Sequence, residues 1–208
     1  RVPDLEIICK ERNFKMCSVE QIIEYRLARE SLVSRIEPKC GTPIETPYGT
    51  FNLIAYHSAI DAVPHLALTI GGIGELDEYG AAKPTEDPTL VRVHRRNLLG
   101  DIFDATDHPS GKELRASLRM IAEEGRGALI YMRPEQYGDE FIDRLQKIQR
   151  PDSDVNIPDL TISEQPMDRR DYGTGVQIIR DLGLKKLKLL TNHPKHLTAL
   201  HGFGIDVA

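Results

Sequence analysis

Three stretches of this sequence gather residue types that do chemistry. His94, Asp101, Asp104, Asp107 and His108 crowd into one short span. Imidazole and carboxylate are donors for divalent cations, so the residue types allow a metal site. Their spacing matches no zinc pattern, and a solvated acidic loop is the simpler account. Thr191-Asn-His-Pro-Lys195 leaves a strand-like run and opens a helical one, with Pro194 suited to the first helical position. Unpaired N–H groups there, flanked by Thr191 and Lys195, suit a phosphate. Asp168 and Arg170 stand close together in Met167-Asp-Arg-Arg-Asp-Tyr172. Alone, the pair reads more simply as a structural ion pair capping the next helix.

Composition narrows the class. The chain has 208 residues, 40% hydrophobic and 28% charged, which fits one globular domain or a domain with a small appendage. Net charge is −5, so no broad electrostatic drive toward nucleic acid or anionic membrane exists. No apolar run approaches the roughly 20 residues of a spanning helix. Cys9, Cys17 and Cys40 all precede Gly41, and so odd and sparse a set implies a reducing cytosol rather than a disulfide framework. The opening Arg1 is read as the start of a fragment or processed piece.

The elements that must position these residues follow from periodicity. Ser18-Val-Glu-Gln21 has the capping-box form, and Val19, Ile22, Ile23, Leu27, Leu32, Val33 and Ile36 keep helical spacing. This predicts a helix over about 18–35, packed on the rest or on a second subunit. Pro and Gly break the pattern over Glu37–Pro43. Alternation of Phe51, Leu53 and Ala55, then of Leu66, Leu68 and Ile70, predicts an antiparallel pair. Residues 71–88 read as a surface loop and 90–94 as a third strand. Leu114, Leu118 and Ile121 make a helical stripe stopped by Gly125. Then come a buried strand over 128–132, a helix over about 139–149, a loop over 150–167 and a helix over about 172–182 ended by Gly183. Strand 187–190, a short helix over 194–201 and strand 205–207 close the chain, and this strand–helix–strand unit implies parallel pairing. The fold class is mixed α/β, with an antiparallel β-rich first half followed by alternating helices and strands.

Several of these stretches also resemble a known family. Leu90-Val-Arg-Val-His-Arg-Arg-Asn-Leu-Leu-Gly-Asp101, Ala122-Glu-Glu-Gly-Arg-Gly-Ala-Leu-Ile-Tyr-Met-Arg133, Arg170–Gly183 and Leu189–Lys195 resemble, in order and spacing, the signature of GTP cyclohydrolase II. Arg1-Val-Pro-Asp-Leu5 and Ile22-Ile-Glu-Tyr-Arg26 are similar to the end of 3,4-dihydroxy-2-butanone 4-phosphate synthase, a module commonly fused upstream in riboflavin biosynthesis. The resemblance implies a synthase tail over 1–36, a linker over 37–45 and a GTP cyclohydrolase II-like domain over 46–208. It also implies a cytoplasmic homodimer partnered by the upstream synthase module, with no nucleic acid or membrane partner.

In that family a zinc ion on three cysteine thiolates activates water to open the imidazole ring of GTP. The matching positions here are Asn97, His108 and Ser110, so no zinc or other cofactor is expected, and the loop over 101–111 should be mobile or differently folded. The family's base and nucleophile for pyrophosphate release match Asp168 and Arg170. Substrate contacts match Arg92, Glu135 and Thr191, with Lys195 close by, while Arg96 stands where the family has Glu. Gln136 and Tyr137 replace a Gly-Arg pair, and His196 replaces a phosphate-binding Lys. Arg170, Thr191 and Lys195 should converge on a weak phosphate or nucleotide site. The expected function is a degenerate cyclohydrolase II-like domain, structural or regulatory for its synthase. The alternatives are an active cyclohydrolase with an unconventional metal site, one limited to pyrophosphate release, or a nucleotide- or flavin-sensing module.

Overall fold

Phe51, Leu53 and Ala55 do share one face of a strand, but the opposite face, with Ile54 and Tyr56, is buried more completely. A strand covered on both sides needs layers above and below it. The structure is a computed structural model and describes residues 2–17, 21–22, 25, 29–106, 109–133, 169–192 and 205–207. Its strands are β1 (Val33–Arg35), β2 (Thr42–Thr46), β3 (Gly49–Ser58), β4 (His65–Ile70), β5 (Thr89–Arg95), β6 (Gly127–Met132), β7 (Lys186–Leu189) and β8 (Asp206–Val207). Helices fully bounded among the described residues are α1 (Val2–Arg12), α2 (Leu98–Phe103), α3 (Ser110–Glu124) and α4 (Arg169–Asp181).

The strands form one sheet in the order β1-β3-β4-β6-β5-β7-β8, with β2 also on β3. Pairings are antiparallel from β1 through β4 to β6, and parallel among β6, β5, β7 and β8. The mixed α/β architecture expected from periodicity is therefore the observed one. One face packs Ile54, Tyr56, Val91 and Ile130 against Ile179 of α4 and Leu182 just after it. The other packs Phe51 and Leu129 against Ile121, Leu118 and Leu114, the predicted stripe of α3. Burying side chains of this size contributes about 1.5–3 kcal/mol each. Gly125 ends α3 at φ 69°, a left-handed conformation that favours glycine.

Arg35 ties β1 to α4. Its side chain is 4% exposed, and its Nε donates to Asp181 Oδ2 at 2.6 Å. Its other nitrogens donate to the carbonyls of Lys39, Gly74 and Asp181, while Tyr56 donates its hydroxyl to the same carboxylate oxygen of Asp181.

Three sequence expectations are corrected or extended. Val33 and its neighbours keep helical spacing but form β1, because pairing Val33 with Ser58 of β3 decides a three-residue run. Thr42–Thr46, which begins inside the segment read as a linker, is β2. Residues 1–31 form one compact unit and 32–208 another. In the first unit α1 was not foreseen, since Leu5, Ile7 and Ile8 follow no single stripe and are exposed. Of the helix expected over 18–35, the described positions 21, 22, 25 and 29 are helical, and its other positions up to residue 28 lie outside the described residues. So do the expected helices over 139–149 and 194–201 and the loop over 150–167. Among the described residues no helix is long and apolar enough to cross a membrane.

Candidate functional site

The C-terminal ends of the parallel strands β5 and β6 place His94 opposite Tyr131. Such strand ends are where open α/β sheets carry their ligand sites. The two rings stack, with centroids 5.5 Å apart and planes 13° from parallel. Beyond β5 the chain turns into α2. Asn97 caps that helix, its Oδ1 accepting from the N–H of Gly100 at 3.2 Å. Asp101 reaches back and accepts from the N–H of Asn97 at 2.9 Å, a reciprocal cap. α3 then begins at Ser110. A Cβ on Gly111 would lie 2.5 Å from the carbonyl oxygen of Gly100, so only glycine lets α3 come this close to α2.

That approach makes Asp101 a hub. Its Oδ1 accepts from Ser110 Oγ at 2.7 Å and lies 2.9 Å from His94 Nε2. Its Oδ2 accepts from the Tyr131 hydroxyl at 2.7 Å as well as from Asn97 N. Burial pushes the Asp101 carboxyl up, but hydrogen bonds from His94, Ser110 and Asn97 outweigh it and hold it at about 2. An ionised Asp101 assigns the proton to His94 Nε2. That leaves His94 Nδ1 buried without a hydrogen-bond partner among the described residues. Burial, the bond to Asp101 and the Asp101 charge all push the Tyr131 phenol up, so it stays a donor. The reading of Asp101 as part of a solvated acidic loop is thus overturned, since it is 8% exposed and belongs to α2. Asp104 pairs with Arg115 instead, and Asp107 and His108 lie outside the described residues.

A second knot lies beside it. Arg92 of β5 donates to the carbonyl of Leu190 at 2.9 Å and to Glu113 Oε2 at 3.1 Å. Asn192 Nδ2 donates to Glu113 Oε1 at 2.6 Å. Arg92 and the start of the Thr191–Lys195 segment are therefore brought together, through a glutamate that sequence reasoning did not single out. Ser110-Gly-Lys-Glu113 has the capping-box form, yet Ser110 serves Asp101 and Glu113 serves Arg92 and Asn192. Tyr131 was hidden inside an apolar strand. Glu135, Asp168 and Lys195 lie outside the described residues, as does the side chain of Arg170, whose backbone is in α4. Below the sheet end, buried His65 lies 3.1 Å from Asp61 and accepts the N–H of Arg133 on Nδ1, which fixes where β6 ends. Burial lowers the His65 pKa against the pull of Asp61, so the ring is neutral there.

At two of the three positions that the resemblance matches to thiolates, the described donors are already engaged. Asn97 Oδ1 is engaged in capping α2, and Ser110 Oγ donates to Asp101. An amide and a hydroxyl, both held in hydrogen bonds, supply neither the charge nor the softness of thiolates.

A sequence model of GTP cyclohydrolase II matches residues 37–208. The chain belongs to the GTP cyclohydrolase II family. Among curated members, the riboflavin biosynthesis protein RibBA of Bacillus cereus (strain AH187) is 38% identical over 209 aligned residues, covering 100% of this chain and 49% of the relative. The RibBA of Cytophaga hutchinsonii is 39% identical and is covered to 48%. The chain thus spans about half the length of these RibBA relatives. Among solved structures, RibBX from A. baumannii, described as a two-domain 3,4-dihydroxy-2-butanone 4-phosphate synthase, superposes with a TM-score of 0.60 at 25% identity. That match covers 100% of this chain and 49% of RibBX.

Proposed function

We propose that this chain is a GTP cyclohydrolase II-type module of riboflavin biosynthesis that has left the family's metal-dependent ring opening behind. It serves a structural or regulatory role for a 3,4-dihydroxy-2-butanone 4-phosphate synthase, as part of a cytoplasmic homodimer. One observation carries the reading. Asn97 and Ser110, two of the three positions matched to thiolates, are built into the hydrogen-bonded hub of Asp101. A ligand shell for zinc would have to dismantle the cap of α2 before it could form. The likeness to RibBX, described as a two-domain 3,4-dihydroxy-2-butanone 4-phosphate synthase, supports a link to that synthase.

In this reading the residues act as scaffold. The carboxylate of Asp101 holds β5, β6, α2 and α3 in one corner without a metal. Arg92 is paired with Glu113, and its guanidinium braces β5 against the end of β7. No step of GTP ring opening is assigned to them. The test is elemental analysis of the purified protein together with an assay for formate release from GTP. Substoichiometric zinc and no formate are expected. Stoichiometric metal with formate release that Asp101→Asn abolishes would overturn the reading in favour of an active enzyme with an unconventional metal site.

A further inference from the structure

A side chain holds the end of β6. The ladder between β4 and β6 closes where Leu66 pairs with Tyr131. The N–H of Arg133, two residues further on, donates to His65 Nδ1 at 2.9 Å, and the Arg133 guanidinium donates to the Pro64 carbonyl at 3.4 Å. The other ring nitrogen, Nε2, lies 3.1 Å from Asp61 Oδ2. The ring is fully buried, and Asp61 is buried beside it. Accepting on Nδ1 requires a lone pair there, so Nε2 carries the proton and donates to Asp61. Among the described residues, the groups facing the ring are Asp61 from the β3–β4 loop, Arg133 at the end of β6 and Tyr56, its register partner on β3. Burial and the Asp181 charge push the Tyr56 phenol up, so it stays neutral.

We propose that His65 is an acid-sensitive latch on the end of β6: a proton taken from solvent onto Nδ1 turns the acceptor of Arg133 into a donor, and the strand end lets go. Two effects act in the same direction. The Arg133 N–H loses that hydrogen bond, and the new imidazolium faces the Arg133 guanidinium, a like charge. The Asp61 carboxylate favours the imidazolium and so brings release to milder acid. Burial outweighs it and holds the latched ring below the ordinary 6.5. The latched state therefore binds fewer protons than the released one. Latching is full above 6.5 and weakens as pH falls below that value, by up to about tenfold per pH unit.

The experiment follows hydrogen exchange of the Arg133 amide by NMR, corrected for the intrinsic pH dependence of exchange, from about pH 7.5 to about pH 5. The ring signals of His65 are recorded in the same samples. Wild type, His65→Gln and Asp61→Asn are compared. In the wild type, protection of Arg133 should fall about tenfold in step with the His65 ring, while Leu129 and Ile130 in the middle of β6 keep theirs. Asp101, held at about 2, stays ionised throughout, so its hub does not contribute. Glutamine offers Arg133 an amide oxygen and Asp61 an NH2 group without titrating, so protection in His65→Gln should stay flat. In Asp61→Asn the fall should need stronger acid. Wild-type protection that stays constant across the range, or falls without a change in the His65 ring signals, would overturn the proposal. So would a fall in His65→Gln as steep as in the wild type. The wild-type titration decides the matter even where a variant does not fold.

Discussion

Replacing Asp101 by asparagine asks how much of the β5–α2–α3 corner rests on one carboxylate. Its pKa falls from an ordinary 3.8 to about 2 in the folded chain. Nearly two units, at about 1.4 kcal/mol each, give about 2.5 kcal/mol of stability to the ionised form at neutral pH. The amide loses this and adds a conflict. Oδ1 serves His94 and Ser110, and Oδ2 serves Tyr131 and Asn97 N. Whichever way the amide turns, one pair of donors meets an NH2 group. A buried donor left unsatisfied costs about 1–3 kcal/mol. Asp101→Asn should therefore cost about 3–5 kcal/mol, in line with the loss of one partner from a buried charged network. At about 2–4 °C per kcal/mol for a domain of this size, melting should fall by at least 6 °C. The pH dependence carries its own sign. A carboxylate depressed on folding contributes fully above its unfolded pKa and loses that contribution as pH falls through the folded value. The gap between wild type and variant should narrow as pH drops from about 4 to about 2. Urea denaturation at several pH values measures both effects. A loss under about 1 kcal/mol at pH 7, or a gap that does not change with acid, would refute the hub as the source of stability.

Gly111→Ala should cost about 1–3 kcal/mol in a urea melt, since its Cβ would meet the Gly100 carbonyl oxygen at 2.5 Å and push Ser110 away from Asp101. Arg35→Ala should cost about 3–5 kcal/mol, because it leaves Asp181 bonded to Tyr56 with its cation gone. Arg35→Lys should recover only part of that in the same assay, because an ammonium cannot reproduce the fork that reaches Asp181 and the Gly74 carbonyl together.

The core of this fold is legible where one periodicity governs a long run. The stripe of Leu114, Leu118 and Ile121, closed by Gly125, needs nothing beyond the helical period to be read. β1 is different, because three residues carry too little pattern and the partner strand supplies the decision. The candidate site shows the same division. Asn97, Ser110 and Arg92 stand out only through the resemblance to the family, at the positions its motifs match. The burial of Asp101 does not, because an aspartate among acidic neighbours looks solvated until a glycine lets two helices meet over it. Glu113 and Tyr131 were illegible for a related reason. Each acts through partners that only the sheet order brings near, one across β5 to β7 and the other across β5 to β6.

The place of β5 in the sheet bears on how the chain folds during synthesis. Its partner β6 follows soon after it, but the bond from Arg92 to the Leu190 carbonyl closes a gap of 98 positions. Until β7 leaves the ribosome, one side of β5 has its backbone donors and acceptors unpaired, and that interior strand is temporarily an edge. Lengthening the closing loop adds little to the entropy of closure, but distant pairings are slow to form. Arg92 and Arg95 keep two positive charges on this strand through the interval. Such charges discourage the open edge from recruiting another nascent chain.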